Sequence, residues 1–229
     1  MSTSSLDPAN EFYIVDFDRT LVDTDKLNEV FGEIADSYGA ISREQLMQAD
    51  ADMKRIGDSL ATAGYVRDHL NNVGRSDEWA ALEKQFIHES RSLNYLLPGA
   101  AELLEWLAAR GKRYGIITYG DPLWQRLKLT AAGFKHIPHI IMEQKEKGRF
   151  ISSWRLSDGT FRLPDAFKRD VVERVVMIDD KAVSFTEFPS GPSKGFWVLD
   201  PSHELPSQQG EVPVNVVRVS SLVELIEHL

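Results

Sequence analysis

Short apolar runs, each closed by polar or glycine-bearing residues, recur along the chain at Tyr13 to Val15, Tyr114 to Thr118, His139 to Met142, Val175 to Ile178, Phe196 to Leu199 and Val214 to Val219. Runs this short, with little polar alternation, predict strands buried on both faces, the arrangement of a parallel sheet covered by helices. Helical spacing lies between and beyond them. Leu103, Leu104 and Leu107 share a helix face ahead of the second run, and Leu222, Leu225, Ile226 and Leu229 make a similar stripe near the carboxyl end. The alternation predicts an α/β fold with an open, Rossmann-like parallel sheet and right-handed crossovers.

The interval from Lys26 to Leu93 breaks this rhythm. It has no convincing strand run, many good helix formers, and helix-spaced apolar positions in LNEVFGEIADSY, REQLMQADADMKRIGDSLATAGYVRDHL and DEWAALEKQFIHESRSL. It predicts a helical insertion over residues 26–93, with residues 1–25 and 94–229 forming the sheet domain. LLPGA, Leu96 to Ala100, returns the chain to that domain through a turn. Trp79, Leu82 and Phe86 fit packing within the insertion better than a platform for stacking bases. The tract Pro201 to Pro213 has the composition of a loop, and no internal repeat is visible.

Composition narrows the classes. With 42% hydrophobic and 27% charged residues over 229 positions, the chain has the makeup of a globular protein with a sizeable core. A net charge of −9 argues against attraction to nucleic acid or an anionic membrane surface. The absence of cysteine rules out disulfides, thiol nucleophiles and thiolate metal sites. MSTSSLDPAN lacks the order of a secretory signal, and no apolar run approaches the roughly 20 residues needed to span a bilayer, so a soluble cytoplasmic protein is expected.

The chemistry concentrates where strands end. Asp16 and Asp18 follow the first run directly, Thr118-Tyr119-Gly120 closes the second, and Asp179-Asp180 closes the fourth. In open α/β sheets these edges form the ligand site. Carboxylates gathered without histidine or cysteine suit a hard cation such as Mg²⁺, which keeps water or phosphate oxygens in its shell. A threonine hydroxyl, exposed backbone N–H groups and a lysine would complement a phosphoryl group. Gly120 would let the backbone approach a phosphate, or is an ordinary turn glycine beside Pro122. His136 and His139 flank Ile137-Pro138, which breaks the regular geometry of paired metal ligands. No P-loop is present, so a nucleotide kinase is not expected.

IVDFDRTLV resembles the first signature of the haloacid dehalogenase-like hydrolases, an apolar strand followed by Asp-x-Asp-x-Thr-Leu, while IIT at Thr118 and VVMIDD at Asp180 resemble the second and fourth signatures in the same order. The resemblance covers roughly Glu11 to Val183 and implies that the insertion is a type 1 cap. It implies a Mg²⁺-dependent phosphatase acting on a small phosphorylated substrate. Asp16 would be the nucleophile, and Asp18 would give a proton to the leaving group and later take one from water. Asp16 and Asp180 would be the main carboxylate ligands of the metal, together with the backbone carbonyl of Asp18, and Asp179 would bind it directly or through water. Thr118, Tyr119, Gly120 and a lysine would bind the phosphoryl group. Lys145, Lys147 and Lys168 all qualify by spacing; Lys147, soon after the third run and just before Gly148, is preferred. Where many relatives place a further carboxylate after the fourth signature, this chain has Val183 and Ser184. A phosphotransferase or mutase, and a binding protein with little activity, are the competing readings.

Overall fold

The computed structural model describes residues 10–199 and 211–229. The amino-terminal stretch, except Asn10, and most of the Pro201 to Pro213 tract lie outside the described residues. Among the described residues the strands are β1 (Glu11–Val15), β2 (Arg113–Tyr119), β3 (His139–Met142), β4 (Phe161–Arg162), β5 (Val171–Val172), β6 (Arg174–Asp179), β7 (Lys194–Val198) and β8 (Val216–Val219). The main sheet is parallel throughout and runs β3-β2-β1-β6-β7-β8. β4 and β5 form a separate antiparallel pair. Parallel neighbours need long crossovers, and helices lie in those from β1 to β2, β2 to β3 and β3 to β6. β1 is central, and the chain moves outward from it first through β2 and β3, then through β6, β7 and β8. Its carboxyl end therefore lies at a topological switch point, where such sheets open a crevice.

All five residues of β1 are buried, and their side chains alternate between two apolar layers. Tyr13 and Val15 join Ile116, Val176, Ile178 and Phe196 on one face; Phe12 and Ile14 join Ile117, Val175, Met177 and Trp197 on the other. Burying each such side chain contributes about 1.5–3 kcal/mol, so the strand's hydrophobicity is explained by two-sided packing. At the opposite end of the strands from the acidic pairs, buried Glu11 binds Lys112 and Arg174, tying the starts of β1, β2 and β6 together. Gly115 in β2 leaves room for the Phe167 ring, which a Cβ would meet at 2.4 Å.

Between β1 and β2 come α1 (Thr24–Ser37), α2 (Arg43–Arg55), α3 (Thr62–Asn72) and α4 (Trp79–Ser90), then α5 (Ala100–Ala109). Asp23 caps α1 by accepting from Lys26 N, and Ser42 with Gln45 forms a capping box on α2. The long helical stretch from Arg43 to Leu70 is two helices rather than one. Gly57, at φ +80°, adopts the left-handed conformation just past the end of α2 and turns the chain away. After β2 come α6 (Pro122–Ala131) and α7 (Lys147–Ser152), and α8 (Leu222–Glu227) ends the chain. The first four helices share an apolar cluster with the sheet. Trp124 on α6 lies against Phe31 of α1 at 4.7 Å and Phe86 of α4 at 5.6 Å between ring centroids. Among the described residues no helix is long and apolar enough to cross a membrane.

Candidate active site

Asp16 is the first residue beyond β1, and its N–H still donates to Ile178 O of β6 at 2.9 Å. The chain then folds back tightly, with Leu21 N and Val22 N both donating to Phe17 O at 3.0 and 3.1 Å. This turn brings the Thr20 hydroxyl within 3.1 Å of Asp16 Oδ2. Arg19 accepts a left-handed backbone, φ 62°, at the turn, an unfavourable conformation for a side chain with a Cβ. It is tied outward to Asp25 at 2.9 Å. Local strain thus accompanies the placement of the Asp16 carboxylate at the sheet edge.

β6 delivers its own pair beside it. One carboxylate oxygen each from Asp16, Asp179 and Asp180 lies within 4.8 Å of the others, and all three residues are buried. Both oxygens of Asp180 are buried without a hydrogen-bond partner among the described residues. Such a carboxylate is costly unless a cation completes it, and the ammonium of Lys181 stands 4.0 Å away, beyond hydrogen-bonding distance. Burial pushes the Asp180 carboxyl up to about 8 against the pull of Lys181, and Asp16 up to about 6 against that of Lys147. An all-oxygen donor set with an orphaned carboxylate fits a hard divalent cation such as Mg²⁺.

Of the three candidate lysines, the structure brings Lys147 to the cluster. Its ammonium bonds Asp16 Oδ1 and, at 2.6 Å, Asp179 Oδ2, and these two anions outweigh burial and raise its affinity for the proton. Lys147 begins α7, which approaches the Thr186 to Phe188 backbone so closely that a Cβ on Gly148 would lie 2.6 Å from Thr186 O. Lys145 instead donates to Gly57 O at 2.6 Å, and Lys168 is exposed at the end of a short turn.

Asp18 does not join the three clustered carboxylates. Its Oδ1 accepts from Thr24 Oγ1 at 2.8 Å and from Lys128; its Oδ2 accepts from Gln125 Nε2 at 2.7 Å and Thr118 Oγ1 at 3.4 Å. Burial disfavours the Asp18 anion, but Lys128 and Gln125 outweigh that and hold it down at about 2. Burial weighs more on Lys128 itself, which falls below the ordinary lysine value despite its partner. Three acidic side chains therefore gather, and the fourth, that of Asp18, is occupied by α6 and the start of α1.

Thr118 is fully buried at the end of β2, whereas Tyr119 points outward and donates to Asp58 Oδ1 at 3.2 Å. Gly120 has φ +139°, and a Cβ there would lie 2.7 Å from Gln125 Nε2. Its smallness is spent on admitting Gln125. His139 Nδ1 lies 2.8 Å from Ile137 O, outside the acidic cluster. After Asp180 the chain enters a short turn, Ala182–Phe185, with Ala182, Ser184 and Phe185 buried. Gln125, Lys128, Thr24 and Lys181 were not singled out from sequence. One signal existed: Lys128 lies four residues after Trp124 and three before Ala131, in the middle of an apolar helix face.

Fold and cluster together define a Rossmann-like protein with carboxylates gathered at the sheet's switch point. A family model described as haloacid dehalogenase-like hydrolase matches residues 13–149, and the chain belongs to that family. No curated protein matches the sequence. Among solved structures, one described as a haloacid dehalogenase-like hydrolase from Burkholderia xenovorans is 18% identical, with 95% of each chain covered and a TM-score of 0.60. A hydrolase of this kind from Bacillus subtilis, solved bound to magnesium, is 16% identical over 95% of this chain and 97% of its own, with a TM-score of 0.53. A phosphatase of this type from Thermococcus onnurineus gives 16% identity over 95% and 97%, with a TM-score of 0.52. At these identities the likeness concerns the fold.

Proposed function

We propose that this protein is a Mg²⁺-dependent phosphatase that hydrolyses a small phosphate monoester through an aspartyl-phosphate at Asp16. The observation that carries this reading is the buried Asp180 carboxylate, without a hydrogen-bond partner among the described residues and set beside Asp16 and Asp179. Asp16, Asp179, Asp180 and the backbone carbonyl of Asp18 would hold the ion. When bound, it would offset the charge of the phosphoryl oxygens.

Asp16 attacks phosphorus in line; the bond to the leaving oxygen breaks, and that oxygen takes a proton from Asp18. Water then attacks the aspartyl-phosphate, loses its proton to Asp18, and frees Asp16 with inorganic phosphate. At rest Lys128 keeps Asp18 ionised, the form that suits the second half-reaction; for the first, Asp18 must carry a proton, taken from solvent or from a substrate phosphate bound as its monoanion. Lys147, already bonded to Asp16 and Asp179, supplies positive charge beside the transferring group. Thr118 binds a phosphoryl oxygen, with Tyr119 and Gly120 framing the same edge.

The four helices from Thr24 to Ser90 act as a cap. Their α2–α3 loop reaches the sheet edge through Asp58 to Tyr119 and Gly57 to Lys145, a position suited to shielding the site from water.

The test is a panel of phosphate monoesters, including sugar phosphates, assayed with Mg²⁺ and with EDTA. Inorganic phosphate is expected with Mg²⁺ and lost with EDTA, without isomerised sugar. Because Asp18 is present, 2-haloacids are expected to release no halide. Metal-independent turnover, or none across a broad panel, contradicts the reading.

A further inference from the structure

Asp18 is held by more protein than its role as a proton carrier requires. Its carboxylate accepts from Thr24, Thr118, Gln125 and Lys128, filling its usual acceptor positions. Two of these donors come from one face of α6, at positions three apart. Lys128 is 2% exposed, and Asp18 is the hydrogen-bonding partner of its ammonium. Carrying a lysine into an apolar layer costs several kcal/mol unless its partner is well placed. The aromatic surroundings also favour its charge: the ammonium stands 5.6 Å from the Trp124 ring and 5.9 Å from the Phe17 ring. Gln125 is fixed in turn. Its Nε2 donates to Tyr119 O at 2.7 Å as well as to Asp18, through space left by Gly120.

We propose that Lys128, with Gln125 one turn before it, is a positioning residue for the reaction: it fixes where the Asp18 carboxylate stands and thereby controls proton transfer at the leaving oxygen. This rests on the phosphatase reading above. Neither residue belongs to the acidic cluster. They act through Asp18, on the core side of the site, whereas Thr24 approaches it from the start of α1. A group that governs proton delivery matters most when the leaving oxygen is strongly basic and little when the departing anion is already stable. Lys128 should therefore change how rate depends on the leaving group more than it changes binding.

The experiment compares wild type, Lys128→Met, Lys128→Arg and Gln125→Ala on an alkyl phosphate and on p-nitrophenyl phosphate, with Mg²⁺, in proteins shown to be folded by circular dichroism. Lys128→Met is expected to lower kcat on the alkyl ester by roughly 10²-fold or more, with less than about tenfold loss on the nitrophenyl ester and little change in KM. Lys128→Arg should recover part of the alkyl activity. If Lys128→Met does not fold, Gln125→Ala carries the test, with a smaller loss of the same selectivity. Equal losses on both esters, or wild-type rates in folded Lys128→Met, overturn the proposal while leaving the phosphatase reading intact. A wild type inactive on both esters and across the broader panel overturns both.

Discussion

Replacing Asp16 by Asn is expected to reduce phosphate release by roughly 10⁴-fold or more while the protein remains folded. The amide keeps the shape of the carboxylate, and the Thr20 hydroxyl can still bond an oxygen at that position. It loses the anionic oxygen needed to form a bond to phosphorus. Lys147 retains Asp179 at 2.6 Å, so its buried ammonium keeps a counter-charge and the fold has no reason to fail. Steady-state kinetics on whichever ester the panel identifies, with circular dichroism as the control for folding, checks this. Residual activity within about tenfold of wild type would remove Asp16 from the nucleophile's role.

Asp180→Asn should separate stability from function. Burial raises the Asp180 carboxyl from an ordinary 3.8 to about 8. Between those values the folded state binds more protons than the unfolded chain, so this stabilising contribution is complete below the unfolded value and disappears as pH rises through the folded one. Metal-free wild type should thus lose stability between pH 5 and 8, by up to about 1 kcal/mol per pH unit from this group. Added Mg²⁺ should restore it most strongly at pH 8, since the ion binds the folded state. The asparagine variant, with no charge to bury, should melt higher than wild type at pH 8 without metal, respond little to Mg²⁺, and be nearly inactive. Thermal melts at pH 5 and pH 8, each with and without Mg²⁺, read all of this. A variant that melts lower and still responds to Mg²⁺ would contradict it.

The parts of the site that were legible in the sequence are those fixed by strand ends. Asp16, Thr118 and Asp179 each close an apolar run, and a parallel sheet places such closures along one edge whatever the connecting helices do. The helical character of the first long connection was equally readable. Its division at Gly57 was not, because helix-forming composition continues across the break. Strands β4 and β5, two residues each, are too short to show a period. The lysine could not be chosen by spacing: Lys147 reaches Asp16 because Gly148 lets α7 press against Thr186, a contact between distant parts of the chain. Asp18 follows the same logic. Asp16, two residues earlier, joins the buried carboxylate cluster, while Asp18 turns to Lys128 and Gln125 on a helix more than a hundred residues later. Gly120 could be read as making room for a phosphate, and the structure shows that it makes room for Gln125.

In the proposed reaction Asp16, Asp179 and Asp180 share one divalent ion while Asp16 keeps an oxygen free for phosphorus. A crystal structure of the protein with Mg²⁺ and beryllium trifluoride tests it most directly, because that group mimics a phosphoryl group on a carboxylate. Beryllium is expected on Asp16, with one Mg²⁺ about 2.0–2.1 Å from oxygens of Asp16 and Asp180 and Lys147 against the fluorides. Beryllium on another residue, or a metal held away from Asp16 and Asp180, would contradict it.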